Sequence, residues 1–278
     1  MVYPARPFAG EVALVATMHG KQAALAPALE ALGFQVRVAD DLDTDRFGTF
    51  TGEVERSGTM LDAARAKVRA AVSRHPGADW VVASEGAFGP SAAIPMLAEA
   101  KELILAWRPS DGLEVTALRT SFETNFAHMD DPAPEALDAF LERVGFPGHA
   151  VIVKAGGAVL AKGVQDRAAL DGLILEAAAP VRIETDMRAH LNPTRMGEIA
   201  KAAEDLARRL ASECPACNAP GFGLARTERG LPCSACAAPT NRVLAEIHAC
   251  PACGHEARKP RGDGLKTADP GECPVCNP

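Results

Sequence analysis

No cysteine occurs among residues 1–213 of this 278-residue chain, so thiol nucleophiles are excluded from that stretch. Aromatic residues make up only 5% of the sequence, which predicts a core of Ala, Val and Leu rather than stacked rings. No unbroken apolar run approaches the roughly 18 residues that a bilayer-crossing helix requires. The opening decapeptide, Met1 to Gly10, has no apolar signal region, and a cytoplasmic location is expected. Cationic excess is lacking too: 29 basic against 36 acidic residues leave a formal charge of −7. That balance argues against a protein that coats nucleic acid or an anionic membrane. Three signatures are missing as well. Without Gly-x-x-x-x-Gly-Lys-Ser/Thr, Gly-x-Gly-x-x-Gly or Gly-x-Ser-x-Gly, the chain is no P-loop NTPase, standard dinucleotide enzyme or typical α/β-hydrolase.

What remains is ordinary globular composition, 47% hydrophobic and 23% charged. The cysteine boundary divides the chain into residues 1–212 and residues 213–278. In the first part, short apolar runs alternate with helical periodicity. Strands are expected at 12–16, 34–39, 80–83, 103–107, 115–118, 150–154, 159–163 and 181–184. Helices are expected at 21–32, 59–74, 135–144, 167–178 and 194–212, the first of them interrupted by Pro27. Strands interleaved with helices predict an α/β fold, with a mixed or mostly parallel sheet flanked by helices.

The second part carries four Cys-x-x-Cys pairs: Cys214/Cys217, Cys233/Cys236, Cys250/Cys253 and Cys273/Cys276, separated by 15, 13 and 19 residues. Each pair can turn two thiolates toward one metal ion, so four pairs predict a zinc-ribbon module with two structural Zn²⁺ sites. Sequential pairing makes two ribbons; interleaved pairing cross-braces them, and spacing alone leaves both open. Disulfides are disfavoured without a secretory context. The module holds seven basic and seven acidic residues, a poor surface for nucleic acid, so a protein partner or a capping role is the expectation there.

Open α/β sheets bind ligands beyond the carboxyl ends of their strands. Four polar clusters fall at such places. Thr17, His19 and Lys21, around Gly20, suit an anion at a helix start. The long loop after the second strand offers Asp45 and Glu53. Ser84 and Glu85, read as the end of a strand, place a carboxylate to hold Mg²⁺ or orient water. Arg188, His190, Asn192 and Arg195 precede the last long helix and are candidates for a phosphate or carboxylate. Lys154 before Gly156 and Gly157 is a fifth, weaker candidate.

The order of these pieces resembles the inosine/xanthosine triphosphate pyrophosphatase superfamily. Ala16-Thr17 with Lys21 is similar to its phosphate loop, Gly48 to Glu53 and Ala64 to Lys67 to its following loop and helix, and Ala83 to Gly86 to its acidic strand end. Arg188-Ala-His190 is a loose counterpart of its base-binding region. The chain departs from that pattern at His19, in its single carboxylate at Glu85 and in its cysteine module. The whole also looks like uncharacterised bacterial proteins that join an α/β domain to a C-terminal zinc ribbon. The resemblance implies a Mg²⁺-dependent hydrolase of a phosphorylated small molecule such as a nucleoside triphosphate, with Lys21 and Lys67 on phosphates and Glu85, Asp45 or Glu53 on metal. Two alternatives stand beside it: a zinc-ribbon adaptor for protein or RNA, and a nucleoside or glycosyl transferase with a carboxylate nucleophile.

Overall fold

A computed structural model describes residues 6–42, 58–178 and 180–278. The chain divides into two compact units, Met1–Ala207 and Arg208–Pro278.

The first unit begins with β1 (Val12–Ala16), an apolar pentapeptide buried along nearly its whole length, as a strand covered on both faces must be. Helix α1 (Gln22–Ala31) returns the chain to β2 (Gln35–Val38), parallel to β1. Pro27 does not break α1, because Ala24, Leu25 and Leu29 anchor the helix on both sides of it. Helix α2 (Met60–Arg74) opens with a reciprocal cap, Thr59 and Asp62 each accepting the other's backbone N–H. It leads into β3 (Trp80–Pro90), parallel to β1. Two antiparallel strands, β4 (Ala98–Arg108) and β5 (Leu113–Ser121), complete a mixed five-stranded sheet in the order β2-β1-β3-β4-β5. Alanines on α2 (Ala64, Ala71) let the helix sit close over Leu14, Val81, Ala83 and Leu105. Stacked rings nevertheless exist: Phe8 and Phe34 stack at 4.4 Å with Trp80 edge-on to Phe8.

Sequence punctuation placed the end of β3 at Ala83, and that expectation is corrected. The strand runs on through Ser84, Glu85 and Gly86 to Pro90, because β4 pairs with it residue for residue from Val81↔Trp107 to Pro90↔Ala98. Pairing on the other side stops at Ala16↔Ala83. Glu85 therefore lies just beyond the parallel part of the sheet, within a ladder rather than at a turn.

The later strands form a separate sheet. β6 (His128–Asp130), β7 (Val151–Ala155), β8 (Ala158–Val164) and β9 (Val181–Thr185) pair in the order β6-β9-β7-β8, every neighbour antiparallel. Helices α3 (Pro134–Val144) and α4 (Arg167–Glu176) supply Leu137, Phe140 and Leu170 to a core against Val151, Val153 and Ile183. Helix α5 (Pro193–Leu210) follows a short 3-10 turn, Ala189–Leu191. The architecture is mixed α/β, as the interleaved pattern predicted. The three-residue β6 was too short to carry a periodic signal.

The second unit is an antiparallel sheet of β10 (Gly223–Arg229), β11 (Val243–Ala249) and β12 (Glu256–Pro260) with the cysteine turns around it.

Candidate functional site

Where β1 ends, the chain passes Thr17, His19 and a left-handed Gly20 (φ +67°) before entering α1 at Lys21. This brings Lys21 over the exposed edge of β3. Its side chain is buried, and Nζ donates to the Ser84 carbonyl at 3.2 Å, the one hydrogen bond of this ammonium among the described residues. Lys67, buried on α2, places Nζ 2.5 Å from Glu85 Oε1. Neighbouring residues of a strand face opposite sides, so Glu85 points to α2 while Ser84 and Gly86 point away from it. Ser84 Oγ is buried with no hydrogen-bond partner among the described residues.

On that second face, Glu102 of β4 stands opposite Gly86 and accepts from Arg195 Nε at 2.7 Å. Arg195 is wholly buried; it also donates to the Met187 carbonyl, and its guanidinium lies 5.1 Å over the Phe88 ring. Gly86 has a definite job here. A Cβ at that position would lie 2.5 Å from Arg195 Nη2 and 2.9 Å from Glu102 Oε1. Gly86→Ala is expected to destabilise the first unit by about 1–3 kcal/mol through overpacking, read as a shift of the urea midpoint without a change in slope.

Three buried cations (Lys21, Lys67, Arg195) thus share the edge of the sheet with two buried carboxylates (Glu85, Glu102). Burial drives the Lys21 pKa down from 10.5 to about 7, Arg195 and Lys67 push the same way, and Glu102 and Glu85 offset them only in part. An ammonium with a single acceptor among the described residues, beside two more cations, is suited to receive an anion.

The sequence-selected residues divide as follows. Thr17 is buried just past β1, and the His19 ring stacks on His190 at 5.2 Å, which brings the 3-10 turn to the start of α1. Lys21, Lys67, Ser84, Glu85 and Arg195 gather as described. Asn192 is used by the fold: its Oδ1 caps α5 at the Arg195 N–H, and its amide donates to Asn125 Oδ1 and the Asp186 carbonyl. Arg188 forms a two-pronged pair with buried Asp186, which also receives the Gly163 N–H. Lys154 lies on the second sheet, paired with Glu184. Asp45 and Glu53 lie outside the described residues. Glu102 was missed, although a single acid opening the apolar run Leu103 to Trp107 is a readable signal.

In the second unit the cysteines form two tetrads, Cys214/Cys217/Cys250/Cys253 and Cys233/Cys236/Cys273/Cys276, with all Sγ atoms of each within 4.8 Å. The first knuckle joins the third and the second joins the fourth. The sites are therefore cross-braced, and two sequential ribbons are excluded. Cross-knuckle Sγ–Sγ distances are 3.8, 3.7, 3.9 and 3.6 Å. A tetrahedron with metal–sulfur bonds of about 2.3 Å has edges of about 3.8 Å, whereas a disulfide measures about 2.05 Å. The donor set is that of a four-thiolate metal site able to hold zinc. The first cysteine of every pair is buried and the second exposed. Backbone N–H groups of Ala216, Ala235 and Ala252 point at Cys214, Cys233 and Cys250 Sγ, as outer support that would stabilise thiolate charge. Around the tetrads the charges are consumed pairwise, Arg226 with Glu256, Arg258 with Glu228 and Arg242 with Glu272.

Among the described residues, no helix is long and apolar enough to cross a membrane. No curated protein matches the chain. Residues 67–278, which include Lys67, Glu85, Glu102, Arg195 and all eight cysteines but not Lys21, match the family model of a domain of unknown function, DUF6671. That match carries no link to the inosine/xanthosine triphosphate pyrophosphatases. With most of its length so matched, the chain belongs to the DUF6671 family.

Proposed function

We propose that the first unit binds and hydrolyses a small phosphorylated metabolite, a nucleoside triphosphate being the first substrate class to test. The observation that carries this reading is Lys21: a buried amine with a single hydrogen-bond acceptor among the described residues, flanked by Lys67 and Arg195. Phosphate oxygens supply the missing acceptors and raise the proton affinity of Lys21 again. Lys21 and Lys67 neutralise charge as the anhydride breaks, the usual large term in phosphoryl transfer. Glu85, fixed by Lys67, orients the attacking water. Arg195 and Glu102 position the site without touching substrate. Mg²⁺ would come in with the phosphates. Among the described residues Glu85 is the carboxylate offered to it, and the grouped metal ligands there are the cysteines alone. In the second unit Zn²⁺ fills both tetrads and serves structure.

The test incubates zinc-loaded full-length protein with nucleoside triphosphates, with and without Mg²⁺, while phosphate and pyrophosphate release are followed. Glu85→Gln is expected to lower turnover about 10²-fold or more with the fold and zinc content unchanged. Lys21→Met is expected to abolish binding of inorganic pyrophosphate in calorimetry. Absence of both turnover and pyrophosphate binding overturns the reading. Base exchange without pyrophosphate release transfers the site to the nucleoside transferases.

A further inference from the structure

The second sheet of the first unit is covered on one face by α3 and α4, and its other face carries chemistry that the Lys21 cluster does not use. Register lays two rows across it, His128–Glu184–Ile152 and Asp130–Arg182–Lys154. A cleft of about 380 Å³ opens over these rows, within the size range of small-molecule sites. One end is apolar, walled by Phe88, Phe126, Ile152 and Met187. The Phe88 and Phe126 rings are nearly parallel, 6.2 Å apart at 23°. The other end presents Lys154, Arg182 and Glu184, and these three also line an adjoining cavity of about 520 Å³.

Lys154 and Arg182 stand directly opposite each other on β7 and β9, an arrangement of like charges that disfavours the sheet. It persists because Glu184 bridges them, 2.8 Å from Lys154 and 3.9 Å from Arg182 Nη1, and Asp130 holds Arg182 through two hydrogen bonds of 2.6 and 2.8 Å. The Arg182–Asp130 pair is largely exposed and contributes little to stability. Lys154 and Glu184 are only 18% and 23% exposed, so a ligand that parts them must satisfy both charges. A carboxylate fits between the two cations; the Glu184 it displaces then needs a cation of its own. A simple anion that takes both cations strips Glu184 of its two partners, and an uncharged ligand gains nothing from the polar end. A zwitterion satisfies both.

We propose that this cleft binds a free α-amino acid with a large apolar side chain. The α-carboxylate lies between Lys154 and Arg182, the ammonium on Glu184, and the side chain against Phe88 and Phe126, with Met187 as a yielding wall. The site shares no charged residue with the phosphate reading and stands independently of it.

Calorimetry on the zinc-loaded full chain tests it with three probes: L-phenylalanine, phenethylamine, which lacks the carboxylate, and 3-phenylpropionate, which lacks the ammonium. Phenylalanine is expected to bind, and each truncated probe to bind at least about tenfold more weakly. Lys154→Met and Glu184→Gln should each weaken phenylalanine by a similar factor. Both side chains face the cleft, away from the core under α3 and α4, so circular dichroism should be unchanged in either variant. Phenylalanine failing to bind at about 10 mM overturns the proposal. So does equal binding of either truncated probe, or unaltered binding by both variants.

Discussion

Cys214→Ser is expected to cost the protein both metal ions rather than one. In a cross-braced module the loop closed by the first tetrad, from Cys214 to Cys253, contains Cys233 and Cys236; the loop closed by the second contains Cys250 and Cys253. Neither site can be dismantled without releasing the segment that presents half of the other. Beyond α5, the unit buries few apolar side chains besides its cysteines: among the described residues, Phe222, Leu231, Ala245, Ile247 and Ala268. Structural zinc contributes on the order of 10 kcal/mol or more in small zinc-dependent folds, far above what so small a cluster supplies. Metal analysis should find about two zinc ions per wild-type chain and close to none in Cys214→Ser, with amide-exchange protection lost across β10, β11 and β12. A variant that keeps one tightly held zinc and a protected sheet would show the two sites to be independent. The α/β unit, with its own cores, should retain its unfolding transition in the same sample.

Lys21→Met is expected to make the protein more stable at neutral pH, by a few kcal/mol. The unfolded lysine holds its proton up to about pH 10.5, the folded one only to about pH 7. Between those values the unfolded chain binds more protons, so wild-type stability rises with pH across that window. The methionine variant lacks the rise. Its advantage is therefore full below about pH 7 and fades toward pH 10.5. Urea midpoints of both proteins across that range measure the difference directly. A variant less stable than wild type at neutral pH, with a gap that does not change with pH, would show that Lys21 is held as a comfortable ion pair. Stability gained as ligand affinity is lost is the expected signature of a residue placed for binding rather than folding.

Much of this was legible in the chain. The strands and helices around Lys21 and Lys67 follow from apolar spacing, and the knuckles from Cys-x-x-Cys. What could not be read depended on partners distant in sequence. Gly86 and Pro90 look like punctuation, yet β4 supplies hydrogen bonds along the whole of β3 and keeps it extended. Asn192 and Arg188 look like ligand groups, and internal acceptors claim them. The pairing of knuckles was open because each Cys-x-x-Cys is half a site, and gaps of 15, 13 and 19 residues fit either scheme. Glu102 stands out at the head of an apolar run, but its role comes from Arg195, 93 positions away.

The interleaved knuckles also set an order on synthesis. A chain emerging from the ribosome displays Cys214 and Cys217 as an unclaimed pair until Cys250 and Cys253 follow, and by then Cys233 and Cys236 wait as well. For that interval four thiols are open to oxidation or to mismatched metal capture.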